Sequence, residues 1–369
     1  MRKIIITSLA LLLLCSTHAS AMSVTFINPG KQGERFWDMV TETMQASADD
    51  LDITLEVIYA QRNRVKMRKL GLAVTQRTTL PDYLVLVNEE QAAEDILVAA
   101  DSAGIKTLML LNDFLPEQRH RIGQPGGKYP HLLGAITPDN FSAGARMMKA
   151  LKNCAENNQR ADSYHVLALG GDTRTPASID RNNGALSVLE KDRKLILDRF
   201  LFANWNKQEA KDLTIRYLKW AERNQIAPAV IWAANDPIAA GAIEALREFN
   251  LQPGKDLCLV GLNWSTEGLQ MVRDGELVLT DGGHFLAGAW SMVLLNDHYQ
   301  RSLTGITEPI GHVPFNMQSI DKTLIKQYTH KLGDEDWSKI DFRSFSLVSS
   351  PSYRDYDFSL AAVFNNIRD

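Results

Sequence analysis

Apolar runs of strand length and helical patterns alternate through most of this 369-residue chain. That alternation restricts the fold to parallel sheets covered by helices on both faces. Residues 23–28 form a short β-rich run, followed by Pro29-Gly30 and a helical pattern over 35–48. Residues 53–60 read as a strand and 63–77 as a helix. The stretch 83–87 is apolar throughout, as a strand buried on both faces should be. A helix over 89–103 ends at Gly104, a suitable C-terminal cap, and 107–111 is the next strand. Residues 118–130 break the rhythm with Gly, Pro and charge, before a short strand at 132–136. The rhythm then restarts. Helices over 141–156, 178–190, 207–223 and 237–249 separate strands at 165–169, 195–201, 229–232 and 257–261. A last strand at 277–280 and a helix at 285–301 follow.

The second half therefore reads as a second copy of the first. The fold class expected is α/β, with two doubly wound parallel-sheet lobes. Residues 22–136 with 284–313 would form one lobe, and 137–283 with 314–331 the other. Three chain crossings, near 135–137, 281–285 and 313–315, would make the hinge. After Lys331 the pattern fades into a polar, aromatic tail, 332–369, holding Trp337, Phe342, Phe345, Tyr353, Tyr356, Phe358 and Phe364. So many rings suggest a segment packed on a surface, either bracing its own lobes, the preferred reading, or forming a docking face.

The leader bounds the compartment. Arg2 and Lys3 precede an uncharged run over 4–14, and Ala19-Ser20-Ala21 is a small-residue cleavage site. This is the layout of a secretory signal peptide over 1–21, too short to span a bilayer. Two other readings compete: Cys15 as a lipoprotein cysteine, although Leu14 precedes it where a small residue is expected, or an uncleaved anchor. No later segment approaches the roughly 20 apolar residues of a membrane helix, so a soluble exported protein is expected. Cleavage leaves 38 basic residues against 44 acidic ones, a net charge of −6, which favours neither nucleic acid nor an anionic membrane. It also leaves Cys154 and Cys258. These two can pair in an oxidising compartment or stand as two buried thiols, and the thiols are preferred.

Two such lobes facing each other make a cleft, because ligands of open parallel sheets bind beyond the carboxyl ends of the strands. The residues standing there are the candidates. Gln32, Glu34, Phe36 and Trp37 follow the first strand, Asn88 the third, and Asn112 and Asp113 the fourth. In the second half Asp180-Arg181 follows a Gly-Gly turn, Asn235 and Asp236 follow 229–232, and Asn263 and Trp264 follow 257–261. Planar amides, carboxylates, a guanidinium and rings suit a polyhydroxylated ligand: the amides pair with vicinal hydroxyls and the rings cover an apolar sugar face. Asp236 before Pro237 also fits a helix cap, and Asp139-Asn140 reads as a cap at a crossing.

Catalytic signatures are absent. No H-E-x-x-H, C-x-x-C, G-x-S-x-G or G-x-x-x-x-G-K-[ST] occurs, and the eight histidines are scattered, with His284 near the cleft by position. No enzyme, cofactor or metal is expected. An exported hydrolase using Glu34, Asp113 and Asp236 is the remote alternative.

Four stretches resemble the type I periplasmic sugar-binding proteins, over about 23–328. They are Asn235-Asp236-Pro237 through Gly241-Ala242, Val260-Gly261-Leu262-Asn263, Asp180-Arg181 through Gly184, and Pro138-Asp139-Asn140 through Gly144. Within that family, Pro29-Gly30-Lys31-Gln32 with Phe36-Trp37 is similar to the first binding loop of the autoinducer-2 receptor. The resemblance implies a periplasmic receptor, expected as a monomer, that closes around a small polar, sugar-like ligand. Gln32, Trp37, Asn112, Arg181 and Asn235 would line its pocket. It implies a membrane partner, either the permease of an ABC importer or the periplasmic domain of a sensor kinase. Two departures stand out. Asp281-Gly282-Gly283-His284 lacks the autoinducer receptor's second arginine, and Asn263 stands where sugar receptors carry Asp.

Overall fold

The computed structural model describes residues 21–158, 161–349 and 354–368. All but Ala21 of the signal peptide expected at 1–21, Cys15 included, and Tyr353 lie outside the described residues. The strands are β1 (Ser23–Asn28), β2 (Thr54–Tyr59), β3 (Tyr83–Leu86), β4 (Lys106–Leu110), β5 (Leu132–Pro138), β6 (Tyr164–Gly170), β7 (Leu195–Phe202), β8 (Pro228–Ala233), β9 (Cys258–Leu262), β10 (Leu279–Gly282), β11 (Gly311–Phe315) and β12 (Gln318–Asp321). One sheet has the order β11-β5-β4-β3-β1-β2 and the other β12-β10-β9-β8-β6-β7. All neighbours are parallel except β10 and β12. The two-lobe α/β architecture read from the alternation is therefore the fold.

Burial follows position in the sheet. Every residue of β3 and β9 is buried, whereas the edge strands β2 and β7 keep exposed positions. In each sheet the order reverses beside one strand, β1 or β6, and that switch point opens a crevice at the carboxyl edge.

The chain passes between the sheets after β5, after β10 and between β11 and β12. The first and third crossings begin where β5 and β11 end, since these strands stay paired as far as Pro138 and Phe315. One side chain ties all three. Arg146, on the helix Asn140–Asn158 after the first crossing, donates from Nε and Nη2 to the buried Asp281 carboxylate at 2.8 and 2.9 Å. Its Nη2 also reaches Met317 O at 3.0 Å, and Ser319 Oγ donates to Asp281 at 2.6 Å.

Three expectations need correction. Residues 118–130 are not irregular throughout: a helix Pro116–Ile122 runs into them, with Pro at its first position and Gly123 at its end. The helix Thr266–Asp274 went unread, although Ser265 caps its start, accepting from Gly268 N, and Gly275 ends it at φ 81°. Cys154 and Cys258 are not free thiols; they form a disulfide between the helix Asn140–Asn158 and the first residue of β9.

The tail is part of the first lobe's core. The helix Ala287–Leu303 is buried all round from Ala287 to His298, so both its faces need cover. Trp290 receives Phe345 and Phe358 at centroid distances of 4.7 Å and Phe342 at 5.9 Å. Asp297 accepts from Ser346 Oγ, Leu347 N and Tyr356 OH at 2.5, 2.7 and 3.0 Å. Most of the tail's rings are thus spent inside the protein, as a brace.

Candidate functional site

Two glycines set the position of the buried guanidinium. The helices Asn140–Asn158 and Pro176–Leu189 cross in backbone contact: a Cβ on Gly144 would lie 2.0 Å from Arg181 O, and one on Gly184 2.0 Å from Phe141 O. That close approach brings Arg181 to Asn140, whose Oδ1 accepts from Nη2 at 2.7 Å and from Nε at 3.3 Å. Nη1 donates to Ala234 O at 2.6 Å. The cation lies 5.7 Å from the centre of the Trp205 ring, which is fixed by its Nε1 bond to Asp172 at 2.6 Å. Among the described residues no carboxylate bonds to Arg181 directly, and burial lowers its pKa to about 10. A buried cation with neutral partners is an expensive arrangement that a site retains for its polarity.

The opposite wall is built from the first lobe. Asn28 holds the loop after β1, accepting from Gly30 N at 2.8 Å and donating to Thr41 Oγ1 at 3.0 Å. The helix Arg35–Asp50 then starts with Phe36 and Trp37 in its first turn. Arg62, in a left-handed turn at φ 55° after β2, stands 5.7 Å over the Trp37 ring. Its Nε donates to Glu34 at 2.9 Å and its Nη1 to Glu89 at 2.5 Å. Burial outweighs Arg62 at Glu89 and pushes that carboxyl up to about 7.

Between these walls lies a partly open cavity of about 130 Å³ lined by residues that include Glu34, Phe36, Trp37, Arg62, Glu89, Asn112, Arg181, Asn235, Asn263 and His284. The walls also touch: Ala177 N donates to Asn112 Oδ1 at 2.9 Å and Gln91 Nε2 to Arg174 O at 3.4 Å. A wider vestibule of about 650 Å³ lies outside, lined by Lys31, Gln32, Arg64, Asn204 and Lys207 among others. Two ring nitrogens of lining residues, Trp37 Nε1 and His284 Nδ1, are buried with no partner among the described residues. His284 stacks on Phe36 at 4.5 Å. Burial first, and Arg181 second, hold its pKa well below the usual value, so the ring is neutral. A neutral imidazole thus stands near where the resemblance would place a second guanidinium.

Of the expected site residues, Glu34, Phe36, Trp37, Asn112, Arg181, Asn235 and Asn263 come together. Asn235 is also the cap that was expected of Asp236, accepting from Ile238 N at 2.9 Å. Four residues fall elsewhere. Gln32 lies in the vestibule. Asn88 is sealed in its lobe, donating to Gln118 Oε1 at 2.8 Å and Asp113 O at 3.1 Å. Asp113 is held by Arg119 at 2.5 Å, and Asp236 is fully buried against Ser265 and Thr280. Arg62, Glu89 and His284 were not among the candidates.

Asp236 accepts from Ser265 N, Ser265 Oγ and Thr280 Oγ1 at 3.0, 2.7 and 2.7 Å, yet burial raises its pKa to about 6. A carboxyl raised in the folded state keeps a proton that the unfolded chain releases near its ordinary value of about 3.9. Stability from this group is therefore complete below about pH 4 and falls as pH rises towards 6. Denaturant midpoints at pH 4 and 6 should show that decline in the wild type and a flatter one in Asp236→Asn. An unchanged slope in the variant would assign the decline to other groups.

A family model for the periplasmic binding protein domain matches residues 24–300. A solved periplasmic sugar-binding protein from Pseudomonas fluorescens is 30% identical with a TM-score of 0.81, covering 93% of this chain and 99% of that one. The arabinose ABC transporter's periplasmic binding component from Shewanella sp. ANA-3, solved with α- and β-L-arabinofuranose, shares the fold at 19% identity. Its TM-score is 0.71, with 85% of this chain and 96% of that one covered. The galactofuranose-binding protein YtfQ of Escherichia coli K12 is 24% identical over 144 residues, which is 39% of this chain and 44% of that protein. The chain spans less than half the length of the curated relatives it matches.

Proposed function

Because this chain belongs to the type I periplasmic sugar-binding family, we propose that it is the solute receptor of an ABC importer for a small, uncharged, monosaccharide-sized ligand. Family membership implies the periplasm. The observation that carries the ligand reading is a cavity lined by Arg181, Asn112, Asn235 and Asn263 together with Trp37 and His284, whose ring nitrogens Nε1 and Nδ1 are buried with no partner among the described residues. Buried polar groups find partners, and ring hydroxyls would supply them here. About 130 Å³ is far less than the roughly 300–1,000 Å³ of pockets for drug-sized molecules, which favours one sugar ring or polyol. Sugar binding in the Pseudomonas relative and galactofuranose binding in the Escherichia coli relative support the same class.

Closure would follow from ligand groups contacting both lobes, since differential contact is what shifts a two-state equilibrium. The sensor-kinase reading rested partly on the tail, and the tail's rings are packed on the helix Ala287–Leu303 instead. The hydrolase reading named Glu34, Asp113 and Asp236, which do not face one space. Calorimetric titration with free pentoses, hexoses, pentitols and myo-inositol should find a binder of micromolar affinity or better. Heat of binding from no member of that panel would overturn the ligand class.

A further inference from the structure

The chain crosses between the lobes a fourth time, beyond the three crossings of the hinge. The helix Ile325–Leu332 belongs to the second lobe. Its Tyr328 ring lies 5.3 Å from Trp264, and Thr329 Oγ1 accepts from Arg273 Nη2 at 2.6 Å. A few residues later the chain is on the first lobe. Trp337 Nε1 donates to Glu42 at 3.1 Å, and its ring lies 5.0 Å from Phe285. Between these anchors stands Glu335, in a left-handed backbone conformation at φ 56° that a glutamate rarely adopts. Its carboxylate has one oxygen on each lobe. Oε2 accepts from Arg35 Nη2 at 2.7 Å and Oε1 from Thr266 Oγ1 at 2.8 Å.

The placement of those two donors matters. Arg35 is the first residue of the helix after β1, and Thr266 the first of the helix after β9. Both helices begin at the carboxyl edges of their sheets, one on each lobe, so a motion that parts those edges would part the two donors. We infer that Glu335 is a clasp that holds the lobes closed, and that the fourth crossing limits how far they part on that flank. The five steps from Leu332 to Trp337 can extend at most about 18 Å. An exposed ion pair alone contributes little. Glu335 adds a second hydrogen bond and is held in place by an anchor on either side.

The inference rests on the lobe closure proposed above, so its test is made without any sugar. Spin labels at Val65→Cys, on an exposed position of the first lobe, and Gln208→Cys, on the second, report the lobe separation in the full, disulfide-bonded protein. Pulsed dipolar measurements should show the ratio of short to long separations falling about fivefold in Glu335→Ala and in Thr266→Val, as expected for one lost hydrogen bond. Glu335→Gln keeps an acceptor for Thr266 and should fall between. The same distribution in wild type, Glu335→Ala and Thr266→Val would overturn the clasp. If Glu335→Ala does not fold, Thr266→Val, which leaves the tail intact, decides alone. A sugar panel that fails while the distribution shifts would refute the ligand class and leave the clasp standing.

Discussion

Replacing Cys154 and Cys258 with alanine is expected to lower the melting temperature of the second lobe by roughly 10 °C. The bridge joins residues 104 apart, and closing a loop of that length constrains the unfolded chain by roughly 4–5 kcal/mol in the chain-entropy account. It fastens the helix Asn140–Asn158, which carries Arg146 and Asn140, to the centre of the second sheet. The loss should be confined to that lobe. Calorimetry with and without a reductant should split a single transition into two, the lower one belonging to the second lobe. Identical scans of the oxidised, reduced and doubly substituted proteins would show that packing alone holds this helix.

Arg181→Met should separate affinity from stability. Among the described residues the guanidinium bonds only to neutral partners, and it is desolvated, so a methionine of similar length relieves a buried charge while removing its bonds to Asn140 Oδ1 and Ala234 O. Those effects oppose each other, and the melting temperature should stay within a few degrees of wild type. Sugar binding has no such compensation. Losing hydrogen bonds from a charged donor should cost about 2–3 kcal/mol, or roughly 30- to 150-fold in affinity. Titration of whichever panel sugar binds the wild type measures this directly. A loss below threefold would mean that Arg181 orders the lobe and does not touch the ligand.

The lobes were legible because their central strands carry an unmistakable pattern: residues 83–86 are apolar throughout and wholly buried. Arg181 was legible through its spacing from Gly184, and the structure supplies the reason, a helix crossing with no room for a Cβ. Arg62 was missed although the same rule would have found it. It stands just after a strand, as the chosen candidates do, but that strand lies at the sheet edge and was passed over. His284 stands near the cleft by position, but a lone histidine is more often structural than a ligand. Its role depends on Phe36 and Arg181, which are distant in sequence and adjacent only in the fold. The sequence favours two free thiols over the disulfide for a similar reason, since no local pattern brings residues 104 apart together. The tail had a usable signal: the run from Ala287 to Leu295 is apolar or small on every face and needs a cover on both.

That cover fixes an order of assembly. The second lobe is almost continuous, because β6 to β10 and the helices between them lie within residues 140–282. The first lobe is not. Its sheet gains β11 only at residues 311–315, and Trp290 and Asp297 gain their partners only from residues 342–358. A chain emerging amino end first therefore carries residues 23–138 unfinished while the later lobe already has all its central strands. The half made first is the half completed last, and until residues 342–358 arrive its apolar helix lacks that cover.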